Sequence, residues 1–356
     1  MDKEAPVHAF GNIVIFHPAA IGDAVLATPV AKTLKLNYPG AKITYWSHSS
    51  LKQLLFGLCP SIDDFVEYSK DTSFFEMLKT LKQLKPDLFV DLSNSRKGTM
   101  LTFLHSTKVL RYLKERYDTE PSMHAVDNFM QTIAPVCHEI PKAYFPTIFP
   151  EALAAQVLPR VIPGYQSAAS PMIGIVPGVG QARPHRAWLA DGWQYLLKSI
   201  IRKRTHVPVL IGGEDEVDLC AQIEKEVGSG VLNLAGKLAL TETAAILKSC
   251  QVVISGDTGP AHIAVAVGTP VIGLHGPTSS KRSGPYGFSD LAIDQSSMCK
   301  CLDSKYCQLT GGRAPGECME RIMLAEIIEK IASVIPGFDS AGENEVTPEF
   351  IEGSYM

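Results

Sequence analysis

No uninterrupted apolar run in the 356 residues reaches the ~18 needed to span a bilayer, so membrane-spanning helices are excluded from the reading. The opening Met1-Asp-Lys-Glu4 lacks the basic start of a secretory leader, and Asp23 interrupts the first apolar stretch. A cytoplasmic protein is therefore expected, with any membrane contact peripheral. Basic charge is not in excess: 33 Lys and Arg against 37 Asp and Glu leave a net charge of −4, which argues against nucleic acid as a partner. A local basic cluster remains at Arg111 to Arg116. No internal repeat is evident. Also missing is an Asp-x-Asp metal clasp; Glu214-Asp-Glu216 opens a helix and complements its dipole. No cofactor is called for.

Cysteines are few and unevenly placed. Cys59, Cys137, Cys220 and Cys250 lie singly among apolar residues, as small buried side chains do. Cys299, Cys301, Cys307 and Cys318 form a C-x-C-x5-C-x10-C cluster. Structural zinc sites more often pair their ligands as C-x2-4-C, so reduced thiols in a loop are the expected state and zinc ligation the lesser alternative.

What is present is an ordinary globular composition, 46% hydrophobic and 20% charged, over a length that suits two domains. Strand signals at Asn12–Phe16, Ala41–Trp46 and Leu88–Leu92 alternate with helical spacing at 22–36, 51–58, 74–84 and 97–104. Prolines 146, 150, 159, 163 and 171 then interrupt the pattern and predict a linker with one short helix. Alternation resumes with strands at 172–176, 208–211 and 231–233, helices at 192–202, 214–227 and 241–248, and a β-branched run at 251–254. The expected fold is α/β, with two doubly wound, Rossmann-like parallel sheets facing across a cleft. The predicted domains are 1–160 and 161–335, with a final helix over 320–334 packing near the hinge. Residues 336–356 are acidic and aperiodic and are expected to be a disordered tail.

The most informative stretch is Ser255-Gly-Asp-Thr-Gly-Pro-Ala-His262 and its continuation to Thr278. It reads as a strand end, a glycine turn, a helix stopped by Gly268, a second strand and a second glycine turn. Gly256 and Gly259 permit backbone angles that other residues resist, and Pro260 suits the first helical turn. A helix start gathers unbonded N–H groups and the positive end of a dipole, which favours phosphate. Asp257, Thr258 and His262 would stand at that site. Asp23 follows Ile21-Gly22 between the first strand and first helix, where open α/β sheets place ligands; catalytic base and helix cap both fit it.

Asp257, Thr258, Gly259, His262, Ala266, Pro270, Ile272, Leu274, Gly276, Pro277 and Thr278 together resemble the donor-binding signature of glycosyltransferase family 9, the lipopolysaccharide heptosyltransferases. Ala20-Ile-Gly-Asp-Ala-Val-Leu-Ala-Thr-Pro29 resembles that family's N-terminal motif, whose aspartate is the proposed general base. Pro177 to Trp188 resembles a third motif, with Arg186 where the family has a phosphate-contacting lysine. The resemblance implies the GT-B fold, a donor site in 161–335 and an acceptor site in 1–160. It implies inverting, metal-independent transfer of a heptose or related sugar from a nucleotide-diphosphate sugar, ADP-heptose foremost. The acceptor would be a lipopolysaccharide core or similar glycolipid, with peripheral contact at the cytoplasmic face of the inner membrane.

Within that frame Asp23 is the catalytic residue. Arg183, Arg186, Glu216, Asp257, Thr258, Gly259 and His262 bind the donor; Glu216, just after Gly212-Gly213, would hold ribose hydroxyls. Asp257, a carboxylate that would repel a diphosphate, is expected to orient the turn's N–H groups or contact sugar hydroxyls. Asn94, Arg96 and His124 are the acceptor-binding candidates. Departures from the pattern are Ala19-Ala20 for a serine pair, Arg186 for lysine and His275 for an aromatic residue. The competing readings are a nucleotide-sugar 2-epimerase of the same architecture and a non-catalytic nucleotide-sugar binder.

Overall fold

The computed structural model describes residues 10–103, 107–113, 123–162, 171–302, 306–310 and 314–338. Two parallel sheets organise it. The first holds β1 (Asn12–Phe16), β2 (Lys42–His48), β3 (Asp64–Tyr68), β4 (Leu88–Asp91) and β5 (Lys108–Arg111) in the order β3-β2-β1-β4-β5. The second holds β6 (Met172–Val176), β7 (Val207–Leu210), β8 (Leu232–Asn233), β9 (Cys250–Gly256), β10 (Val271–His275) and β11 (Ile293–Asp294) in the order β11-β10-β9-β6-β7-β8. Central strands such as Ile13-Val-Ile-Phe16 are buried throughout, because helices cover both faces of a doubly wound sheet. β1 pairs with β2 and β4, and β6 with β7 and β9, so strand order reverses at β1/β4 and at β6/β9. Crevices open at the carboxyl ends of strands flanking such reversals.

The two halves share apolar contact. Val25 and Leu54 from the first lie in one buried cluster with Ile246, Ile263 and Val265 from the second. The connection after Pro150 forms the helix Glu151–Val161, which contains Pro159 near its end and packs against the helix Leu240–Lys248. The remainder of the expected linker, from Pro163 to Ser170, lies outside the described residues.

The first predicted helix is two. Ile21–Leu26 stops at Ala27, and Thr28–Asn37 begins with Pro29 in its first turn, where no backbone N–H is required. The last helix spans Leu324–Val334, shorter than expected, and follows a separate turn at Glu317–Glu320. Ile327 and Ile331 seat it on β9, β10 and the helix Ala190–Lys203, on the second sheet rather than near the hinge. The ordered fold also runs past the expected start of the tail, since Phe338 is buried in the second core. Residues 339–356 lie outside the described residues.

Candidate active site

The helices Ile21–Leu26, following β1, and Gly259–Ala266, following β9, meet with their first turns side by side. Two glycines allow it. A Cβ on Gly22 would stand 2.6 Å from His262 Cδ2, and one on Gly259 3.1 Å from Ile21. Neither Gly256 nor Gly259 has a positive φ, which corrects the expectation of a backbone-angle role; closeness is what they supply. Gly268, at φ 81°, does end its helix in the left-handed region. Gly22→Ala would force His262 aside, and overpacking of this kind costs about 1–3 kcal/mol. A lowered Tm with weakened donor binding is expected, and a Tm equal to that of the unchanged protein would refute the contact's importance.

A cavity of about 400 Å³ opens at this junction, within the range of small-molecule sites. Ala20, Gly22 and Asp23 form one wall, and Arg183, Arg186, Asp257, Thr258, Gly259, His262, Arg282 and Ser283 form the rest. Asp23 is the third residue of its helix, and its N-cap, Ala20, offers no side-chain cap. Its half-exposed carboxylate instead faces Arg282, with Oδ1 3.9 Å from Nη2. Thr258 is the N-cap of Gly259–Ala266 and gives its hydroxyl to Ser255 at 2.9 Å, so the amides of that first turn stay directed at the cavity.

Asp257 is nearly buried and collects three side chains. Its Oδ2 accepts from Arg186 Nη1 at 3.2 Å and from Ser283 Oγ at 3.2 Å, and its Oδ1 from His262 Nε2 at 3.3 Å. Burial alone would raise its pKa, but His262, His275 and Arg186 outweigh that and hold the carboxyl well below the usual range. Asp257 thus orients side chains, Arg186 foremost, where the turn's N–H groups were expected. Trp188 fixes the other end of the arginine loop, donating to the Ile322 carbonyl at 3.1 Å and packing edge-on against Trp193.

Arg282 and Ser283 are the residues that sequence reasoning missed. The signal lay just past Thr278, where Ser279-Ser-Lys-Arg-Ser reads as a capped helix start with a basic pair. Ser279 Oγ accepts from Lys281 N, and Asp294 on β11 takes the Ser280 N–H at 2.7 Å. The short helix Ser280–Ser283 is thereby held with Arg282 over Asp23.

Other predicted site residues lie elsewhere. Glu216 does not line this cavity among the described residues; its Oε2 accepts from Gly213 N at 2.8 Å and its stem lies against Gly178. Asn94, at φ 46°, and Arg96 are exposed at the turn into the helix Arg96–Phe103, at the carboxyl edge of β4. His124 caps the helix Ala125–Ile133, accepting from Val126 N through Nδ1, while Nε2 donates to the Gly284 carbonyl at 3.1 Å. Both ring nitrogens are used, so it is a strut between the halves rather than an acceptor ligand. Asp127 reinforces the strut, accepting from Tyr286 at 2.7 Å and Tyr144 at 2.9 Å.

Burial pushes His124 down to about 4, and His17, buried behind Asp23 and bonded to the Tyr45 hydroxyl at 2.9 Å, likewise to about 4. Between pH 6.5 and 4 the unfolded chain therefore binds protons that the native one does not. Stability is full above about 6.5 and falls as pH drops toward 4, by up to about 1.4 kcal/mol per pH unit for each histidine. Tm is expected to decline over that window and His17→Gln to flatten the decline; an unchanged slope would contradict the assignment.

The four loop cysteines do not assemble a ligand set. No group of three or more His, Cys, Asp or Glu suited to a metal occurs among the described residues. Cys299 Sγ accepts from Cys301 N and Cys301 Sγ from Gln308 N. Cys318 lies against Gly276, and a hydrogen bond with Cys299 pushes its thiol above the ordinary range.

The cavity therefore joins a carboxylate from one half to a helix start and three arginines, Arg183, Arg186 and Arg282, from the other. A family model described as Glycosyltransferase family 9 (heptosyltransferase) matches residues 76–310. The chain belongs to glycosyltransferase family 9. Lipooligosaccharide heptosyltransferase 2 of Haemophilus influenzae is 25% identical over 333 residues, covering 86% of this chain and 93% of that protein. Among solved structures, a glycosyltransferase family 9 protein of Veillonella parvula superposes with a TM-score of 0.75 at 19% identity, covering 91% of this chain and 97% of the other. Escherichia coli ADP-heptose lipopolysaccharide heptosyltransferase II gives 0.71 at 19% identity, covering 91% and 98%. These likenesses establish the GT-B architecture, two doubly wound sheets facing across a cleft.

Proposed function

We propose that this family 9 member is an inverting heptosyltransferase that moves a heptose from ADP-heptose to a lipopolysaccharide core acceptor. The observation that carries the reading is the single cavity in which Asp23 faces Arg183, Arg186 and the Thr258–Gly259 helix start. The donors and acceptors named for its relatives support the substrate classes. Residues up to about 160 would bind the acceptor and 161–335 the donor, consistent with the provenance of each wall.

Asp23 accepts the proton of the acceptor hydroxyl. The oxygen forms its bond to the anomeric carbon as the bond to the diphosphate oxygen breaks on the opposite face, and ADP departs with the electron pair. Charge developing on that leaving group meets Arg186, Arg183 and the first-turn amides of Gly259–Ala266, in fixed positions that need little reorganisation. Arginine in place of lysine at 186 still offers a two-pronged phosphate grip. Arg282, close to Asp23, holds the base and closes the cavity over it. Glu216, at the end of β7, remains the proposed ribose contact, and Asn94 and Arg96 the proposed acceptor contacts. Because the acceptor is lipid-linked, we also place the enzyme peripherally at the cytoplasmic face of the inner membrane; no helix among the described residues is long and apolar enough to cross it.

A thermal-shift panel of ADP-, UDP- and GDP-linked sugars tests the donor. At a hundredfold excess over Kd a ligand stabilises by about 2.7 kcal/mol, so the preferred nucleotide stands out. Stabilisation by ADP-heptose is expected, and a larger shift with a UDP or GDP sugar would overturn the donor assignment.

A further inference from the structure

One fully buried carboxylate takes no part in the mechanism above. Asp91 ends β4, which pairs with β1, the strand that leads into Asp23. Its Oδ1 accepts from Ser93 N at 2.9 Å and from Ser93 Oγ at 2.5 Å. The Ser93 hydroxyl proton is thereby committed, so Ser95 Oγ donates to Ser93 Oγ at 2.8 Å and itself accepts from Gly98 N at 3.0 Å. Ser95 N closes the turn on Ser93 Oγ at 3.1 Å. This chain of bonds runs from the end of β4 into the first turn of the helix Arg96–Phe103. Between its two serines it holds Asn94, exposed and at φ 46°. A left-handed residue other than glycine persists where its surroundings fix it.

The space is shaped around this carboxylate. A Cβ on Gly98 would collide with Ser93 Oγ and stand 2.7 Å from both Asp91 oxygens, so glycine is what admits the arrangement. Oδ2 accepts no hydrogen bond among the described residues and faces Arg111 on β5, whose Nε is 3.7 Å away and whose Nη2 donates to Thr99 Oγ1. Burial raises the Asp91 carboxyl above its usual value, while Ser93 and Arg111 oppose that rise. Buried ion pairs are weak sources of stability, and apolar residues of similar volume often serve as well. A buried carboxylate so loosely compensated is therefore explained by what it positions.

We infer that Asp91 is a positioning residue of the acceptor side: through Ser93 and Ser95 it fixes the turn that presents Asn94 and Arg96. The inference rests on the reading of those two residues as acceptor contacts. The turn leaves β4 one strand, about 4.8 Å, from β1. Leu92 N donates to the Phe16 carbonyl at 2.9 Å, which ties the start of the turn to the strand before Asp23. Lys97 steadies the far side, donating to the Lys70 and Thr72 carbonyls at 3.2 and 2.9 Å. Asp91, with no exposed surface, touches no substrate. It sets the register in which an acceptor gripped by Asn94 and Arg96 meets Asp23.

Steady-state kinetics with ADP-heptose and lipopolysaccharide truncated before its heptose tests this. Asp91→Ala and Ser95→Ala should each raise the acceptor KM about tenfold or more, with kcat at saturating acceptor within about twofold. ADP affinity in calorimetry should be unchanged, since the donor wall belongs to the other half. Asp91→Asn keeps the oxygen that accepts from Ser93 and should recover most of the acceptor KM. Where Asp91→Ala fails to fold, Ser95→Ala carries the same prediction, because it leaves the buried charge and Arg111 in place. An unchanged acceptor KM in Ser95→Ala overturns the inference. So does a loss of ADP affinity equal to the loss of acceptor affinity, or an Asp91→Asn no better than Asp91→Ala. Asn94→Ala with Arg96→Ala separates the two levels of the reading. A raised acceptor KM there beside a normal Ser95→Ala rejects the positioning role alone, and an unchanged KM there rejects the acceptor contacts and the positioning role with them.

Discussion

Asp23→Asn is expected to lower kcat for heptose transfer by about a thousandfold, the middle of the range that a positioned general base supplies. The donor's KM should change little, because Asp23 sits on the wall contributed by the first half while the arginines and the Thr258–Gly259 turn sit on the other. Asparagine keeps the size of the side chain and its place in the first turn of Ile21–Leu26, so stability should be nearly retained. A helix-cap role predicts the reverse pattern, a loss of stability with turnover intact. The structure already weakens that alternative: the carboxylate faces Arg282 at 3.9 Å, and the N-cap position belongs to Ala20. Arg282→Lys should sit between the two, with a moderate fall in kcat, since a compact ammonium cannot bridge as a guanidinium does.

Asp257→Ala should produce the largest loss of stability of any single change in the site. It leaves Arg186, only 12% exposed, and His262, 7% exposed, without the carboxylate that compensates them. Removing one partner of a buried charged pair costs about 3–5 kcal/mol, or a fall in Tm of roughly 4–7 °C for a protein of this size. The Asp257 carboxyl is held well below the usual range, so its stabilising contribution is complete at neutral pH. That contribution is lost only as the pH falls below about 4, through the depressed native value. Asp257→Asn separates architecture from positioning. It restores hydrogen bonds to Ser283 and Arg186 and so recovers part of the Tm, but without charge it holds the guanidinium weakly. Donor affinity should then remain about ten- to a hundredfold down, the worth of a charge-assisted hydrogen bond. Equal recovery of Tm and affinity would make Asp257 a packing residue.

Much of the fold was legible because central strands announce themselves. Ile13–Phe16 and Met172–Val176 are uninterrupted apolar runs, buried on both faces, and the predicted limits of their strands match the observed ones. β3, β5 and β11 escaped notice for the opposite reason. Two are edge strands of polar sequence, Asp64-Phe-Val-Glu-Tyr68 and Lys108-Val-Leu-Arg111, and the third is two residues long. Their existence depends on pairing with a neighbour already in place, which local pattern cannot report. The convergence of Asp23 with Arg183, Arg186 and the Asp257–His262 turn was legible from motif position alone. What could not be read was the long-range wiring. Arg282 reaches Asp23, His124 reaches Gly284 and Gly22 meets His262 only through the apposition of two sheets. Likewise Gly259 reads as a turn glycine, and only three dimensions reveal it and Gly22 as points of helix contact.

Proton NMR of a reaction containing ADP-heptose, lipopolysaccharide truncated before its heptose, and the purified protein tests the central claim most directly. The account predicts ADP release with a new heptosyl linkage whose anomeric configuration is opposite to that of the donor, and no change in the donor when acceptor is omitted. A product of retained configuration, or conversion of the donor to an epimer without any acceptor, would contradict it.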